Sequence, residues 1–223
     1  ESVAIRAASA FPLRRDGKVV GCLSAYAAEP GFFEDDITNL LANLRAMGSV
    51  VAAGPNDVFV SWLPLYHDMG LIGACLSSLY HGFPLVVMSP LSFLARPARW
   101  LRAIHHHHGT LSAAPNFAYE LCLRAIQDHE IEELDLSSWR MTINGAEPVS
   151  PATVERFIAR FGRYGFRPEA MAPVYGLAEC SVGLALQPPN RAPVFDRVRR
   201  AAFVAGGLAE PADARDATAL VFP

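Results

Sequence analysis

From Asp57 onward, short β-rich runs alternate with amphipathic helical segments. This alternation is typical of a parallel sheet covered by helices, because parallel strands need a long crossover that a helix supplies. We therefore expect an α/β fold in which a mostly parallel sheet is flanked by helices. The pattern predicts strands at 58–62, 85–88, 111–114, 140–143 and 171–174, and helices at 71–80, 99–107, 117–127 and 151–161. Ser150 and Pro151 mark the start of the last helix, since serine is a favoured N-cap and proline suits the first turn.

The two ends of the chain have different patterns. Apolar runs at 11–13 and 19–26 flank Asp16-Gly17, which is a strong signal for an antiparallel β-hairpin. An acidic helix start follows at 34–36, and we expect this helix to continue through Leu44. The stretch 187–223 is rich in Ala, Pro, Arg and Asp without clear periodicity, which predicts an irregular, partly mobile segment.

Composition excludes some classes of function. The net charge of −3 gives no general attraction to nucleic acid or anionic lipid. No apolar run reaches the roughly 18 residues of a membrane span, and the N-terminus has no signal-like core, so we expect a cytoplasmic protein. The four cysteines form no C-x-x-C pair and are expected to be reduced, mostly buried thiols. They are Cys22, Cys75, Cys122 and Cys180.

The run from His105 to His108 suggests a metal site at first sight. Consecutive helical residues point around the helix, so at most His105 and His108 could converge. Imidazoles at a helix C-terminus, where positive charge is favoured, are the better interpretation.

Three polar clusters, at 63–70, 144–148 and 175–179, follow predicted strands. Parallel sheets bind ligands at the carboxyl ends of their strands, so we expect these clusters to form one site. Each cluster also has a structural interpretation. His67 with Asp68 suits a helix cap, Glu147 a solvated loop, Glu179 the start of a helix, and Tyr175 ordinary packing.

Four segments in this order resemble the adenylate-forming superfamily, and most closely its fatty acyl-AMP ligase branch. They are Val60–Gly73, containing His-Asp-Met-Gly, Ser112–Tyr119, Asn144–Pro148 and Tyr175–Glu179. The resemblance covers about 39–223.

This resemblance implies a reaction and a set of site residues. The family activates a carboxylate by attack on the α-phosphate of ATP, with release of pyrophosphate and charge neutralisation by Mg²⁺. Tyr175 would stack on the adenine, Glu179 would act in catalysis as the Mg²⁺ ligand, and His67 would act as a catalytic donor or gate. The remaining cofactor-binding residues would be Asn144, Gly145, Ala146, Glu147, Pro148 and Gly176.

The acyl tail needs an apolar slot. The plausible lining residues are Trp62, Met69, Leu71, Ile72, Phe117 and Ala118, although Met69 and Phe117 suit the core equally well. The tract 193–223 is similar to the variable region in which this branch carries an insertion that disfavours coenzyme A. The implied partners are therefore a fatty acid and the acyl carrier protein of a polyketide or nonribosomal peptide synthase.

The sequence departs from the family pattern at both ends. Residues 29–38 lack the Gly- and hydroxyl-rich phosphate loop, and the family's later C-terminal domain would lie beyond Pro223. Residues 14–26 and 30–33 instead resemble the last strands and helix of a GAF sensory domain. We therefore expect a GAF-like fragment at 1–38 and, at 39–223, a partial AMP-binding domain that is inactive alone.

Two questions stay open at this point. The junction at Thr38-Asn39 is either a natural fusion or a joined sequence assembly. The alternative function is a non-catalytic sensory or regulatory module built on the GAF-like start and the ligase scaffold.

Overall fold

A parallel five-stranded sheet organises the computed structural model, which describes residues 7–15, 18–27 and 36–222. All its strand pairs are parallel, in the order β4-β3-β5-β6-β7, which confirms the predicted fold class. The strands are β3 (Phe59–Ser61), β4 (Leu85–Val87), β5 (Leu111–Ala114), β6 (Met141–Asn144) and β7 (Met171–Pro173). The predicted hairpin is also confirmed, since β1 (Ala7–Arg15) pairs antiparallel with β2 (Lys18–Ala27). Its turn and residues 28–35 lie outside the described residues, and the GAF resemblance stays a prediction.

Helices connect the strands and cover both faces of the sheet. They are α1 (Asp36–Val50), α2 (Ser77–His81), α3 (Pro90–Ala95), α4 (Ala98–His106), α5 (Asn116–Ala125), α6 (Pro151–Phe161) and α7 (Arg200–Gly206). The helix predicted at 71–80 is of π type over Met69–Leu76 before it continues as α2. The prediction assumed the α period, which a wider π turn does not follow.

One face of the sheet packs against α4, α5 and α6 through a chain of aromatic rings. The Trp100 ring lies 5.6 Å from Tyr119 and 5.3 Å from Trp139, and all three side chains are fully buried. Trp100 Nε1 donates to Ser112 Oγ at 3.0 Å, and Tyr119 Oη lies 2.8 Å from Thr142 Oγ1. This face is the dense core of the molecule.

The other face is turned towards α1 and the π-helix. Side chains alternate along strands, so Phe59, Leu111 and Ile143 lie on this face while Val60 and Ser112 lie on the first. This second face leaves space next to the sheet, as described below.

An ion pair closes the amino-terminal edge of the sheet. Arg140 donates to Asp57 through Nε at 2.7 Å and Nη2 at 2.6 Å. Asp57 also accepts from Thr110 Oγ1 at 2.6 Å and from the Gly54 N–H at 2.9 Å. These bonds tie together the segments that enter β3, β5 and β6.

The C-terminal segment is more regular than its composition predicts. β8 (Asp196–Val198) and β9 (Leu220–Phe222) pair antiparallel, with α7 between them, so the prediction of an irregular segment is wrong for these three elements, while most of the segment is irregular as predicted. Arginine contacts hold this unit together. Arg197 donates to the Asp216 carbonyl, Arg199 pairs with Glu210 at 2.7 Å, and Arg200 donates to the Thr218 carbonyl.

The structure also bears on the predictions made for the cysteines and the histidine run. Cys122 is buried, but Cys75 and Cys180 are partly exposed, so these thiols are not mostly buried.

His105 and His106 occupy the last turn of α4, as expected, and His105 Nδ1 accepts from the Asp135 N–H at 3.1 Å. Within the described ranges, no cluster of three or more metal-ligating side chains is found. In the same ranges, no helix combines the length and apolar character that a bilayer crossing requires.

Candidate active site

The three predicted polar clusters meet at the carboxyl-terminal edge of the sheet. Each follows a strand of the same parallel sheet: β3, β6 or β7. Residues from all three clusters line two neighbouring spaces, a partly enclosed apolar cavity and an open groove. The arrangement agrees with the rule that parallel sheets bind ligands at this edge.

The apolar cavity has a volume of about 190 Å³ and lies between the second face of the sheet, α1 and the π-helix. His67, Asp68 and Tyr175 lie among the residues that follow the strands. The apolar walls are formed by Met47, Val51, Ala53, Phe59, Met69, Phe83, Leu111, Ala113, Ile143, Val174, Val182 and Leu186. Few polar groups face this space, so it suits an aliphatic chain.

The open groove has a volume of about 680 Å³ and lies beside the loops that follow β6 and β7. Its lining includes Ala146, Glu147, Pro148, Tyr175 and Arg191. The groove and the cavity share part of their wall, formed by Ala146, Val174, Tyr175, Gly176 and Leu186. A ligand with a polar head and an apolar tail would therefore meet both environments at one point.

His67 and Asp68 form a pair at the start of the π-helix. His67 Nδ1 lies 2.8 Å from Asp68 Oδ1, and the Met69 N–H faces both atoms, at 3.1 and 2.8 Å. The predicted capping role is confirmed for Asp68, whose side chain accepts from the first helical N–H. His67 nevertheless stays 46% exposed, so its ring is accessible at the cavity.

The loop after β7 folds back on itself tightly. Tyr175 and Ala185 exchange backbone hydrogen bonds of 3.0 and 2.9 Å. A Cβ at Gly176 would overlap the Val182 carbonyl oxygen, so only glycine fits there. Val182 has a φ of 84°, an unfavourable value for a β-branched residue, and strain of this kind is typical of functional sites.

A contact with α1 fixes the position of this loop. Asn43 Nδ2 donates to the Gly183 carbonyl at 2.7 Å, and the Gly183 N–H donates back to Asn43 Oδ1 at 3.3 Å. This reciprocal pair holds the loop over the cavity that α1 covers.

The loop after β6 contains one unusual buried side chain. Asn144 is fully buried, and neither of its side-chain polar atoms has a hydrogen-bond partner among the described residues. Unpaired buried amides are costly, and they are uncommon without a functional reason. Ala146, two residues further on, has a φ of 67° and is exposed in the groove.

Glu147 has a structural contact in addition to its place in the groove. Its Oε1 accepts from the Phe117 N–H at 2.5 Å, at the N-terminus of α5. A carboxylate at this position satisfies a free helical N–H and complements the helix dipole. Glu147 is thus an exposed loop carboxylate, as its structural interpretation predicted, and it has one contact that the sequence did not predict.

Glu179 lies on the 3₁₀ turn Ala178–Cys180 and is exposed to solvent. It lines neither the cavity nor the groove. A single accessible carboxylate fits Mg²⁺, which usually takes one or two protein carboxylates together with substrate phosphates. The assignment of Glu179 to the metal stays a prediction.

Of the residues predicted to line the acyl slot, Met69 alone contacts the cavity. Trp62 and Ala118 are buried in the aromatic core, where the Trp62 ring stacks on Phe93 at 4.1 Å. Leu71 and Phe117 are more than 40% exposed, and Ile72 is half-buried. These five residues lie outside the cavity wall; Phe117 and Ala118 are on α5, whereas Leu71 and Ile72 are on the π-helix.

Sequence reasoning missed most of the cavity wall. Phe59, Leu111 and Ile143 alternate along predicted strands, so strand parity could have placed them on one face. Met47, Val51 and Phe83 have no local signal, because tertiary packing alone brings them to the cavity.

Comparison with known proteins shows the family of the chain. The profile of the AMP-binding enzyme family matches residues 36–203, and the chain belongs to this family. A medium-chain-fatty-acid–[acyl-carrier-protein] ligase of Teredinibacter turnerae is 44% identical over 144 residues, 65% of this chain and 22% of that protein. A long-chain-fatty-acid–AMP ligase of Mycobacterium tuberculosis is 40% identical over 170 residues, 75% of this chain and 29% of that protein.

A solved structure shows the same relationship. The fatty acid AMP ligase of Legionella pneumophila has a TM-score of 0.79 and 38% identity, over 82% of this chain and 32% of that protein. A fatty acyl-adenylate ligase of the same organism, solved with acyl adenylate and pyrophosphate, gives the same values. The chain thus spans less than a third of the length of these relatives.

Proposed function

We propose that this chain forms the central part of a fatty acyl-AMP ligase, which joins a fatty acid to AMP and passes the acyl group to an acyl carrier protein. The observation that carries the proposal is the shared wall of Ala146, Tyr175 and Gly176 between the polar groove and the apolar cavity. An acyl-adenylate has a polar nucleotide and an apolar tail that meet at one phosphate. The two spaces match these two halves.

The groove suits the adenosine part of ATP. Tyr175 is 62% exposed and offers a free ring face on which a base can stack. Asn144, the last residue of β6, precedes the groove-lining loop, but its side chain is buried and lines neither space. The exposed Tyr175 ring is compatible with nucleotide binding here.

The polar residues at the mouth of the cavity suit the reacting carboxylate. A carboxylate oxygen attacks the α-phosphorus, the bond to the bridging oxygen breaks, and pyrophosphate leaves with the electron pair. Bound Mg²⁺ would neutralise phosphate charge, with Glu179 as a ligand. His67 would donate a hydrogen bond to a phosphate or carboxylate oxygen, and Asp68 would hold the imidazole in place.

The acyl carrier protein is proposed as the acceptor on the basis of relatives. The Teredinibacter turnerae protein is an acyl-carrier-protein ligase, and a second relative with that description, from Moorena producens, is 49% identical over 127 residues, 57% of this chain and 22% of that protein.

A chimera tests this function directly. Residues 39–222 would replace the corresponding segment of the Legionella pneumophila ligase, which supplies the rest of a full-length enzyme. We expect fatty-acid-dependent exchange of pyrophosphate into ATP. An amino acid should not replace the fatty acid, because among the residues that the structure describes, Asp68 at the mouth is the one acidic side chain in the cavity lining.

Two substitutions in the chimera separate the proposed roles. Glu179→Ala should lower exchange by about 10²-fold or more, as loss of a charge-stabilising group does. Glu147→Gln keeps an oxygen that can accept from the Phe117 N–H, so it should have a smaller effect. A folded chimera without exchange would contradict the proposed function, and a larger loss at Glu147 would contradict the metal assignment.

A further inference from the structure

We propose that the closed end of the apolar cavity limits the bound acyl chain to about eight carbons, so that the preferred substrate is a medium-chain rather than a long-chain fatty acid. This inference rests on the proposed function, because it concerns the acyl part of the same site.

The volume of the cavity sets the limit. An apolar cavity of about 150 Å³ takes up benzene, a molecule of six carbons. The cavity here has a volume of about 190 Å³, which on the same scale accommodates a chain of about eight carbons. A long-chain tail of about sixteen carbons would need twice this space.

Buried side chains close the inner end of the cavity. Phe59 and Leu111 are the first residues of their strands, Phe83 precedes β4, and Val51 follows α1, so these residues lie at the amino-terminal side of the sheet. Each is less than 8% exposed. His67 and Tyr175 lie at the opposite, carboxyl-terminal side, where the groove begins. A chain that enters there cannot pass the inner end without displacing close-packed core residues.

Gly73 controls the width of the cavity. A Cβ at this position would lie 3.7 Å from Met69 Cγ and 4.0 Å from Val182 Cγ1, which is ordinary van der Waals contact. A larger side chain at residue 73 would therefore occupy the cavity itself, and alanine would fit with little disturbance. The glycine leaves this volume to the ligand.

The test measures affinity against chain length. The 223-residue chain would be titrated by calorimetry with non-hydrolysable straight-chain acyl-adenylate analogues, and the adenosine analogue without an acyl chain would give the baseline. We expect affinity to rise about fourfold for each added methylene up to about eight carbons, and then to level off or fall.

The chain length at which affinity stops rising is called the break. Variants on the cavity wall should move this break in opposite directions. Gly73→Leu should shift it to shorter chains by about three carbons, and Gly73→Ala by about one, since added side-chain volume replaces ligand volume. Phe83→Leu enlarges the inner end and should shift the break to longer chains by about one carbon. Circular dichroism would confirm that each variant folds, and Gly73→Ala keeps the test valid if leucine is not tolerated.

Phe93→Leu is the matched control. Phe93 is fully buried and stacks on Trp62, but it does not line the cavity. This substitution should lower thermal stability and leave the chain-length break unchanged.

The possible results distinguish the inference from the proposed function. Affinity that keeps rising into long chains, or a break that neither residue 73 nor residue 83 moves, would overturn the length limit and leave the proposed function intact. Binding of the adenosine analogue without any gain from an acyl chain would overturn the acyl assignment and the limit together. If no analogue bound at all, including the baseline compound, the proposed function itself would fail.

Discussion

The two edges of the parallel sheet use their polar groups in opposite ways. At the amino-terminal edge, the Asp57 carboxylate receives hydrogen bonds from Arg140, Thr110 and the Gly54 backbone. At the carboxyl-terminal edge, Asn144 is buried without a partner among the described residues, and Val182 has a strained backbone.

This difference separates stability from function. Hydrogen bonds made within the protein stabilise the fold, and the groups that make them have no free donor or acceptor for a ligand. A strained residue such as Val182 costs stability, and strain of this kind is typical of functional sites. We therefore expect substitutions at the first edge to change unfolding and those at the second edge to change binding.

The largest effect is expected at Arg140. Arg140→Met leaves the Asp57 carboxylate buried without its charged partner, which typically costs about 3–5 kcal/mol of unfolding free energy. Urea unfolding measures this loss. The control is Arg124→Met, because Arg124 is 76% exposed in its pair with Glu120 and should contribute about 1 kcal/mol or less. Equal losses in both variants would contradict the structural role of the amino-terminal edge.

A smaller loss of unfolding free energy at the same edge is expected when the pH is lowered. Burial disfavours the charged form of Asp57, but hydrogen bonds from Arg140, Thr110 and Gly54 outweigh it and hold its pKa below the usual value. A lowered folded-state pKa means that Asp57 stabilises the fold above its unfolded pKa of about 4, and that this contribution is lost as pH falls through the folded-state value.

Urea unfolding at a series of pH values measures this dependence. Asp57→Asn should reduce the slope of the unfolding free energy below about pH 4. A variant with the same slope as the unaltered protein would show that other carboxylates account for the acid sensitivity.

At the opposite edge, Tyr175→Ala should weaken binding of the adenosine analogue by about 1–3 kcal/mol, the usual contribution of a base stacked on an aromatic ring. Its unfolding free energy should change by only about 0.5 kcal/mol, as for other exposed side chains. Tyr66→Ala is the control, since Tyr66 is 92% exposed and lines neither space. Equal binding by both variants would remove Tyr175 from the nucleotide site.

The smallest effect on stability is expected at Asn144. The direction of the change in unfolding free energy is informative here, because most core substitutions lower it. Asn144→Ala removes two unpaired polar atoms, so the unfolding free energy should stay within about 1 kcal/mol or rise. Thr142→Ala on the same strand is the control and should lose about 1–2 kcal/mol, because it removes a buried methyl group and the hydrogen bond with the Tyr119 hydroxyl, which keeps only its bond to the Ile143 carbonyl. A large loss of stability at Asn144 would show that its amide is paired in solution.

Sequence patterns predicted the fold where the signals are local. β5 has the predicted bounds, 111–114, because its small and apolar residues lie between Gly109 and Pro115. The predicted cap at Ser150 is confirmed by its hydrogen bond from the Thr153 N–H. The Ser89-Pro90 pair at the start of α3 has the same form, so the helix missed at Pro90–Ala95 had a readable signal.

The site was less predictable because its parts are distant in sequence. The positions of the three clusters after predicted parallel strands indicated that they meet at one edge, and they do. The cavity wall depends on how α1 and a π-helix lie against the sheet, and periodicity does not contain this information. Glu147 likewise gains its hydrogen bond with Phe117, 30 residues away, only after β5 and β6 have paired.

The most direct measurement is a crystal structure of this chain with a medium-chain acyl-adenylate analogue. The account predicts adenine against Tyr175 and Ala146–Pro148, and the acyl tail in the cavity between Met69 and Leu111. An acyl tail in the open groove, with the cavity closed to it, would contradict the division of the site into a polar and an apolar half.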